Sequence, residues 1–317
     1  MRNQHILGAS WAFALLMLGA CGGGGGDTVG PLAKEENLNP SNPITSAVTI
    51  TSESAKVMYH ALNTFVVSGD NVGRLDITAQ GACSQLEPIS SSGNQKRVAC
   101  RPGQVGTNVL TLIATDPFTK KEVGVQSFSV PKPEVTLTTT LGSLVVILEP
   151  EKAPLSSQNF LDVVASGYYK GTVFHDLMLG NRLLGGLYAL NGEIWSPKTS
   201  SEVSTVEFES PLATGLSNTD GTIAVYRLPN SSLNSGSTGF LINLGDHGRI
   251  GNRRDGTSPD HSAYAVFGRL NEKSRELITK AIDTRSIVPK PPMNPTTSFP
   301  FEPPSPAVWI SNATQTN

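Results

Sequence analysis

Charge is scarce in this chain. Only 16% of its 317 residues are Asp, Glu, Lys or Arg, and 24 basic residues against 26 acidic ones leave a net charge of −2. No basic surplus exists to meet a phosphate backbone, so the sequence offers no electrostatic case for nucleic acid. Cysteine is scarcer still, with Cys21, Cys83 and Cys100 alone. One loop holds metal-ligand types at Asp246, His247, Asp255, Asp260 and His261. Its spacing matches no zinc or calcium pattern, and Arg249, Arg253 and Arg254 would oppose a cation, so a solvated loop is expected. No nucleophile–base pairing stands out in the first half of the chain. Long apolar runs are missing as well. "ILGASWAFALLMLGA", residues 6–20, is short of the ~20 residues that cross a bilayer comfortably. Methionine and aromatic residues outside the segments below fall singly. Neither a cofactor nor a metal is expected.

What is present is Thr, Ser, Gly and Val, a composition that suits β-rich extracytoplasmic domains. Arg2 ahead of the apolar run reads as a signal peptide over residues 1–20. The run ends in Leu18-Gly19-Ala20-Cys21, which resembles the lipobox of bacterial lipoproteins. That resemblance implies acylation of Cys21 and a lipid anchor of several chains, firm where one chain is marginal. An ordinary signal peptide with a coincidental Cys, or an anchor that stays uncleaved, are the plainer alternatives. "GGGGGDTVG" then opens a flexible tether over residues 21–43. Gly22 after the Cys, where Asp would favour the inner membrane, points to the outer membrane, facing the periplasm of a bacterial envelope.

Residues 44–130 carry short period-2 runs such as "AVTITS", "FVVSG", "RLDITA", "KRVACR", "NVLTLIATD" and "VGVQSFSV", most broken by Gly, Asn, Asp, Ser or Pro. Their spacing predicts an immunoglobulin-like β-sandwich, although the Cys-Trp-Cys signature is absent. Cys83 and Cys100 enclose "SQLEPISSSGNQKRVA" as a loop and should pair in an oxidising compartment, two buried free thiols being the alternative. "VPKPEV" is a linker. "VTLTTTLGSLVVILEP" reads as a hairpin. "APLSSQNFLDVVASG" follows as a helix, with Pro154 near its start and Gly167 past its end. "GTVFHDLMLGNRLLGG", residues 171–186, reads as one strand. Further strands are predicted around "TIAVYRL", "GFLINLG" and "YAVFGRL", a second helix over 271–282, and a closing strand in "AVWISNATQTN".

Residues 134–313 resemble a cyclophilin-type peptidyl-prolyl cis-trans isomerase domain. "TLGSLVVILEPEKAP", "NFLDVVASGYYKGTVFH", "GLSNTDGTIAV", "GFLIN" and "YAVFGRL" come in family order. The resemblance implies an eight-stranded antiparallel barrel capped by two helices. It also implies a site in which an Arg directly after "FH" donates to the proline nitrogen. Two Gln hold the peptide backbone, and Phe, Met, Phe and Leu line the proline pocket.

Carried over by position, Phe174 and His175 match the "FH", and the Arg position holds Asp176. The pocket Phe and Met positions hold Asn181 and Arg182, and the first Gln is Leu184, before the matching Gly185-Gly186. The second Gln is Gly239, Phe240 matches, the pocket Phe is Leu241, and Tyr264 stands at the pocket's far side. The pocket Leu and its neighbouring Trp have no counterpart; a longer stretch at 245–262 replaces them. Positions that build a barrel are kept (Gly142, Phe160, Phe174, Gly185, Gly186, Phe240, Phe267, Gly268), and positions that face a substrate are changed. The expectation is a family member with weak or lost isomerase activity, serving as a proline-peptide-binding or structural module among envelope proteins. The competing expectation is an active periplasmic isomerase in which Arg182 substitutes for the lost cation. Arg182 lies six positions after Asp176 on the same predicted strand, so the two would tend to pair. The proline-dense stretch 288–306 should be extended, either as a stiff wrap-around segment or, through "PPMNP" and "PFEPP", as a ligand for a proline-binding partner.

If the Leu18–Cys21 reading holds, the protein partitions with membranes and carries acyl mass on Cys21, and Cys21→Ser releases it or leaves it unprocessed. Mass spectrometry of fractionated envelopes checks this; free wild-type protein without acyl mass contradicts it.

Overall fold

The computed structural model describes residues 44, 47–191, 194–198, 204–227, 232–246, 264–289 and 301–317. The predicted signal peptide, Cys21 and the tether lie outside them, as do His247, Asp255, Asp260 and His261. No helix among the described residues is long and apolar enough to cross a membrane.

The first β-rich part has two sheets. Strands β1 (Thr49–Ser52), β2 (Asn63–Ser68), β3 (Asp76–Gly81), β4 (Glu87–Ser91), β5 (Gln95–Cys100), β6 (Gly106–Thr115) and β7 (Glu122–Val130) run in chain order. They pair as β1-β2-β5-β4 and β3-β6-β7, all antiparallel. Period-2 burial is clearest in β2, where Asn63, Phe65 and Val67 are buried and their neighbours half-buried. Phe65, Val67, Leu110 and Leu112 are wholly enclosed. The stretch between the cysteines is not the open loop expected. It holds β4, whose five residues are all exposed, so no apolar alternation marked it. Cys83 and Cys100 are bonded, and both are buried.

The second part is a barrel. Strands β8 (Glu134–Thr139) and β9 (Gly142–Leu148) form the expected hairpin. Helix α1 (Pro154–Ala165) begins with a proline at a position whose N–H would have no helical partner. The Glu209 carboxylate caps its first turn, accepting from Leu155 N (3.0 Å) and Ser156 N (2.8 Å). Then come β10 (Thr172–Met178), β11 (Arg182–Asn191), β12 (Ile194–Pro197), the one-turn α2 (Pro211–Thr214), β13 (Thr222–Val225), β14 (Phe240–Asn243) and β15 (Ala265–Leu270). Helix α3 (Glu272–Asp283) is capped by Asn271, whose side chain accepts from Ser274 N. Strands β16 (Val288–Pro289), β17 (Pro304–Ser305) and β18 (Ile310–Gln315) complete the chain.

Residues 171–186 are thus two strands and a turn rather than one strand, with Met178 opposite Arg182. Gly180 supplies the left-handed conformation the turn requires, with φ at 65°. The sheet order is β10-β11-β14-β13-β15-β9-β8-β18, with β12 added beside β11. The two ends meet through Gly171 N–H to Ile310 O and Phe174 N–H to Val308 O, both 2.8 Å, which nearly closes the barrel. Phe160, Tyr169, Phe174, Phe240 and Phe267 fill its interior, with ring centroids 5.1–6.0 Å apart. Gly185 makes room for them, because a Cβ there would lie 2.7 Å from Phe240 Cζ.

The two parts touch through α1. Gln158 Nε2 donates to Tyr59 Oη (3.1 Å), and His60 Nε2 lies 2.9 Å from Asp162 Oδ1. Cutting the Cys83–Cys100 bond frees a 17-residue separation in the unfolded chain. In the chain-entropy picture this removes about 3 kcal/mol. Denaturant unfolding of a Cys83→Ala/Cys100→Ala variant should show a loss of that order in the first β-rich part, with the barrel little affected.

Candidate functional site

Two adjacent rows of residues cross the barrel wall. Phe174, Gly185, Phe240, Val225 and Ala265 are successive cross-strand partners, and the aromatic ones face the interior. Asp176, Leu184, Leu241, Ala224 and Val266 form the next row. Its four apolar members make a separate outer cluster with Tyr226 and Tyr264. Phe174 and Asp176 are two apart yet face opposite sides, because a bulge at His175 inserts an extra residue into β10. Of the site positions expected from the resemblance, Asp176, Leu184, Leu241 and Tyr264 lie together on this outer side, whereas Phe174 and Phe240 are turned into the barrel core, because the bulge at His175 separates the two rows.

Asp176 is 4% exposed. Its Oδ2 accepts from Arg182 Nε at 3.0 Å and Nη2 at 2.9 Å, and its Oδ1 accepts from Glu302 N at 3.2 Å. The pairing with Arg182 was expected, but its geometry differs: the two stand diagonally across a hairpin, not along one strand. The Arg182 side chain is itself partly covered, at 22% exposure. Asn181 sits in the hairpin turn, its N–H donating to Met178 O and its carbonyl accepting from Leu244 N.

Leu184 and Leu241 are fully buried, so neither offers a polar group to a peptide. Gly239 is glycine for a local reason. A Cβ there would lie 2.9 Å from Leu187 Cδ2, so a Gln cannot be added without moving Leu187. Tyr264 stacks on Tyr226 at 5.9 Å. Burial, with a smaller push from Tyr264, raises the Tyr226 phenol to about 12. Behind them Asn218 donates to Tyr264 O, and Asn243 donates to Asn218 Oδ1 and Thr222 Oγ1, pinning the 215–221 loop to β14.

The residue that sequence reading did not place here is Phe301. Its ring meets His175 at 5.0 Å and Tyr188 at 5.7 Å and packs against the outer cluster. With Leu187, Tyr188, Lys198, Tyr226 and Gly239 it walls a cavity of about 280 Å3. The signal was "PFEPP", read as an extended segment without a location. Asp246, of the loop weighed for metal, accepts from Asp220 N, and no acidic, His or Cys cluster among the described residues is placed to hold a metal.

His175 is wholly enclosed between Tyr188 and Phe301. Burial pushes its pKa down to about 4; the Val173 backbone and the Asp176 charge pull weakly the other way, and Arg182 reinforces the shift. A depressed folded value means the unfolded chain binds the proton first as pH falls. The contribution is complete above about 6.5 and is lost toward 4, at a slope of up to about 1.4 kcal/mol per pH unit. Urea titrations at pH 7.5, 5.5 and 4.5 should show this fall, and His175→Phe should remove the part due to this ring.

The family model for cyclophilin-type peptidyl-prolyl cis-trans isomerases matches residues 134–295, just over half of the chain. Peptidyl-prolyl cis-trans isomerase A of Dickeya dadantii is 31% identical over 163 residues, covering 49% of this chain and 75% of that protein. The isomerase of Acinetobacter baylyi is 28% identical over 165 residues, covering 50% and 80%. A crystal structure of a Cryptosporidium parvum cyclophilin aligns over 59% of this chain and 98% of its own, at 19% identity and a TM-score of 0.40. On the family match and the bacterial relatives, the chain belongs to the cyclophilin-type peptidyl-prolyl cis-trans isomerase family.

Proposed function

We propose that this chain is a lipid-anchored protein of the bacterial envelope, carried on Cys21, whose barrel has weak or no prolyl isomerase activity. It acts instead as a peptide-binding or structural module displayed toward the periplasm behind an immunoglobulin-like spacer. One observation carries the reading: the position where the family has its donor Arg holds Asp176, and that carboxylate is engaged by Arg182.

Rotation about an X–Pro bond breaks nothing covalent but faces a barrier of about 18–20 kcal/mol. The site must therefore favour the twisted amide, whose nitrogen becomes basic. Only an interaction stronger in the twisted state than in the planar one speeds the step. A fixed cation meets that need, and a carboxylate repels the same electron pair. Arg182 does not replace it, because two of its guanidinium nitrogens are turned to Asp176. The peptide-holding amides are also gone at Leu184 and Gly239, and the ring pocket has lost its aromatic walls at Asn181 and Leu241. Proline-containing segments of envelope proteins fit as ligands better than as substrates.

Losing one such preorganised donor costs about two to three decades in rate. A prolyl-peptide isomerisation assay on the wild-type protein should find it at least a hundredfold below an active cyclophilin. Asp176→Arg alone should restore little, since it would set a second guanidinium beside Arg182. Wild-type activity within tenfold of an active cyclophilin would overturn the proposal.

A further inference from the structure

Three positions that by the resemblance face a substrate and depart from the family lie beside one segment, Phe301-Glu302. Asp176 accepts the N–H of Glu302, Leu184 belongs to the cluster beneath Phe301, and Gly239 lines the cavity that Phe301 walls. By the resemblance these three hold the Arg and the two Gln that grip a bound peptide. Each replacement suits the segment that now lies there. A carboxylate accepts the Glu302 amide, where a guanidinium would not. A leucine offers an apolar floor to a phenyl ring, where an amide side chain would be stripped of water. A glycine leaves Leu187, which like Gly239 lines the cavity walled by Phe301, the space that a side chain would fill.

The backbone completes the seat. Leu177 N–H donates to Glu302 O at 2.8 Å, so Glu302 is held through both of its main-chain groups, as a strand added to an edge would be. Pro303 and Pro304 follow; both are buried or nearly so in the extended run that enters β17, and neither has an N–H to satisfy. His175 and Tyr188 close on two sides of the Phe301 ring.

We propose that residues 301–304 are a resident ligand: the outer face has been remodelled into a receptor for a Phe-Glu-Pro segment, filled in cis by this chain's own. A tethered segment stays bound at low intrinsic affinity, because its effective concentration is of order millimolar. An external peptide of the same chemistry reaches the face only when the segment leaves. This deepens the preceding reading in one respect only, that it places peptide binding on the same face.

The test uses the full chain and a fluorescein-labelled acetyl-Phe-Glu-Pro-Pro-Ser-Pro-amide probe, read by anisotropy. Wild type should bind it poorly. Phe301→Ala withdraws the resident ring, and Glu302→Pro removes the N–H that Asp176 accepts. Each should bind the probe at least tenfold more tightly, and a probe with Ala in place of its Phe should show no gain. Amide exchange at Leu177 should quicken at least tenfold in Phe301→Ala. Folded variants, verified by circular dichroism, that gain no probe affinity or leave Leu177 exchange unchanged would overturn the inference. Should one variant fail to fold, the other decides. Efficient isomerisation by the wild type would instead defeat the proposed function and leave the binding result standing.

Discussion

A carboxylate buried to 4% exposure must be matched by donors or lose its charge. Asp176 meets this with two guanidinium nitrogens from the far side of a hairpin and one amide from a segment 126 residues later. Removing either partner of a buried ion pair typically costs about 3–5 kcal/mol, much of it for the charge left behind. The pair therefore constrains its surroundings more than it stabilises them. Arg182 must reach back over the turn, which fixes the turn, and Glu302 must present its N–H, which brings Phe301 over the same wall.

The bulge at His175 gives the pair its orientation. Without the extra residue, Phe174 and Asp176 would share a face, and one of them would be misplaced: a ring outside or a charge within the aromatic core. With it, Phe174 meets Phe240 inside at 5.8 Å, while Asp176 heads the outer row. One irregularity in β10 thus keeps the scaffold and the altered face independent. That independence would let residues of the outer row change without disturbing the barrel core.

What could be read from the sequence follows the same division. Phe160, Phe174, Gly185, Phe240 and Phe267 answer to packing within a single barrel, so a linear motif carries them. The Asp176–Arg182 pair was legible as a tendency, but its hairpin was missed. "DLMLGNRLL" carries its turn in Gly180-Asn181, a pair that signals a hairpin, but the resemblance presented the stretch as one strand. β4 was invisible because an edge strand exposed on both faces shows no alternation. Phe301 was beyond sequence reading for a different reason. Its partners, His175, Tyr188 and the outer cluster, are more than a hundred residues away or spread over four strands, and no local pattern encodes such a meeting.

Loss of function and change of function leave different marks on a site. When selection on a groove lapses, its substitutions have no reason to complement one another. Here Asp176 is paired with Arg182 and the Glu302 amide, and Leu184 lies in the apolar cluster against which Phe301 packs, while the two ring nitrogens of His175 are buried without a hydrogen-bond partner among the described residues. A side chain at Gly239 would also have to displace Leu187, whose Cδ2 would lie 2.9 Å from the added Cβ. A return to the family's residues would therefore have to undo packing as well as chemistry. On the reading proposed above, the site is a new set of complementary contacts rather than an old one with parts removed.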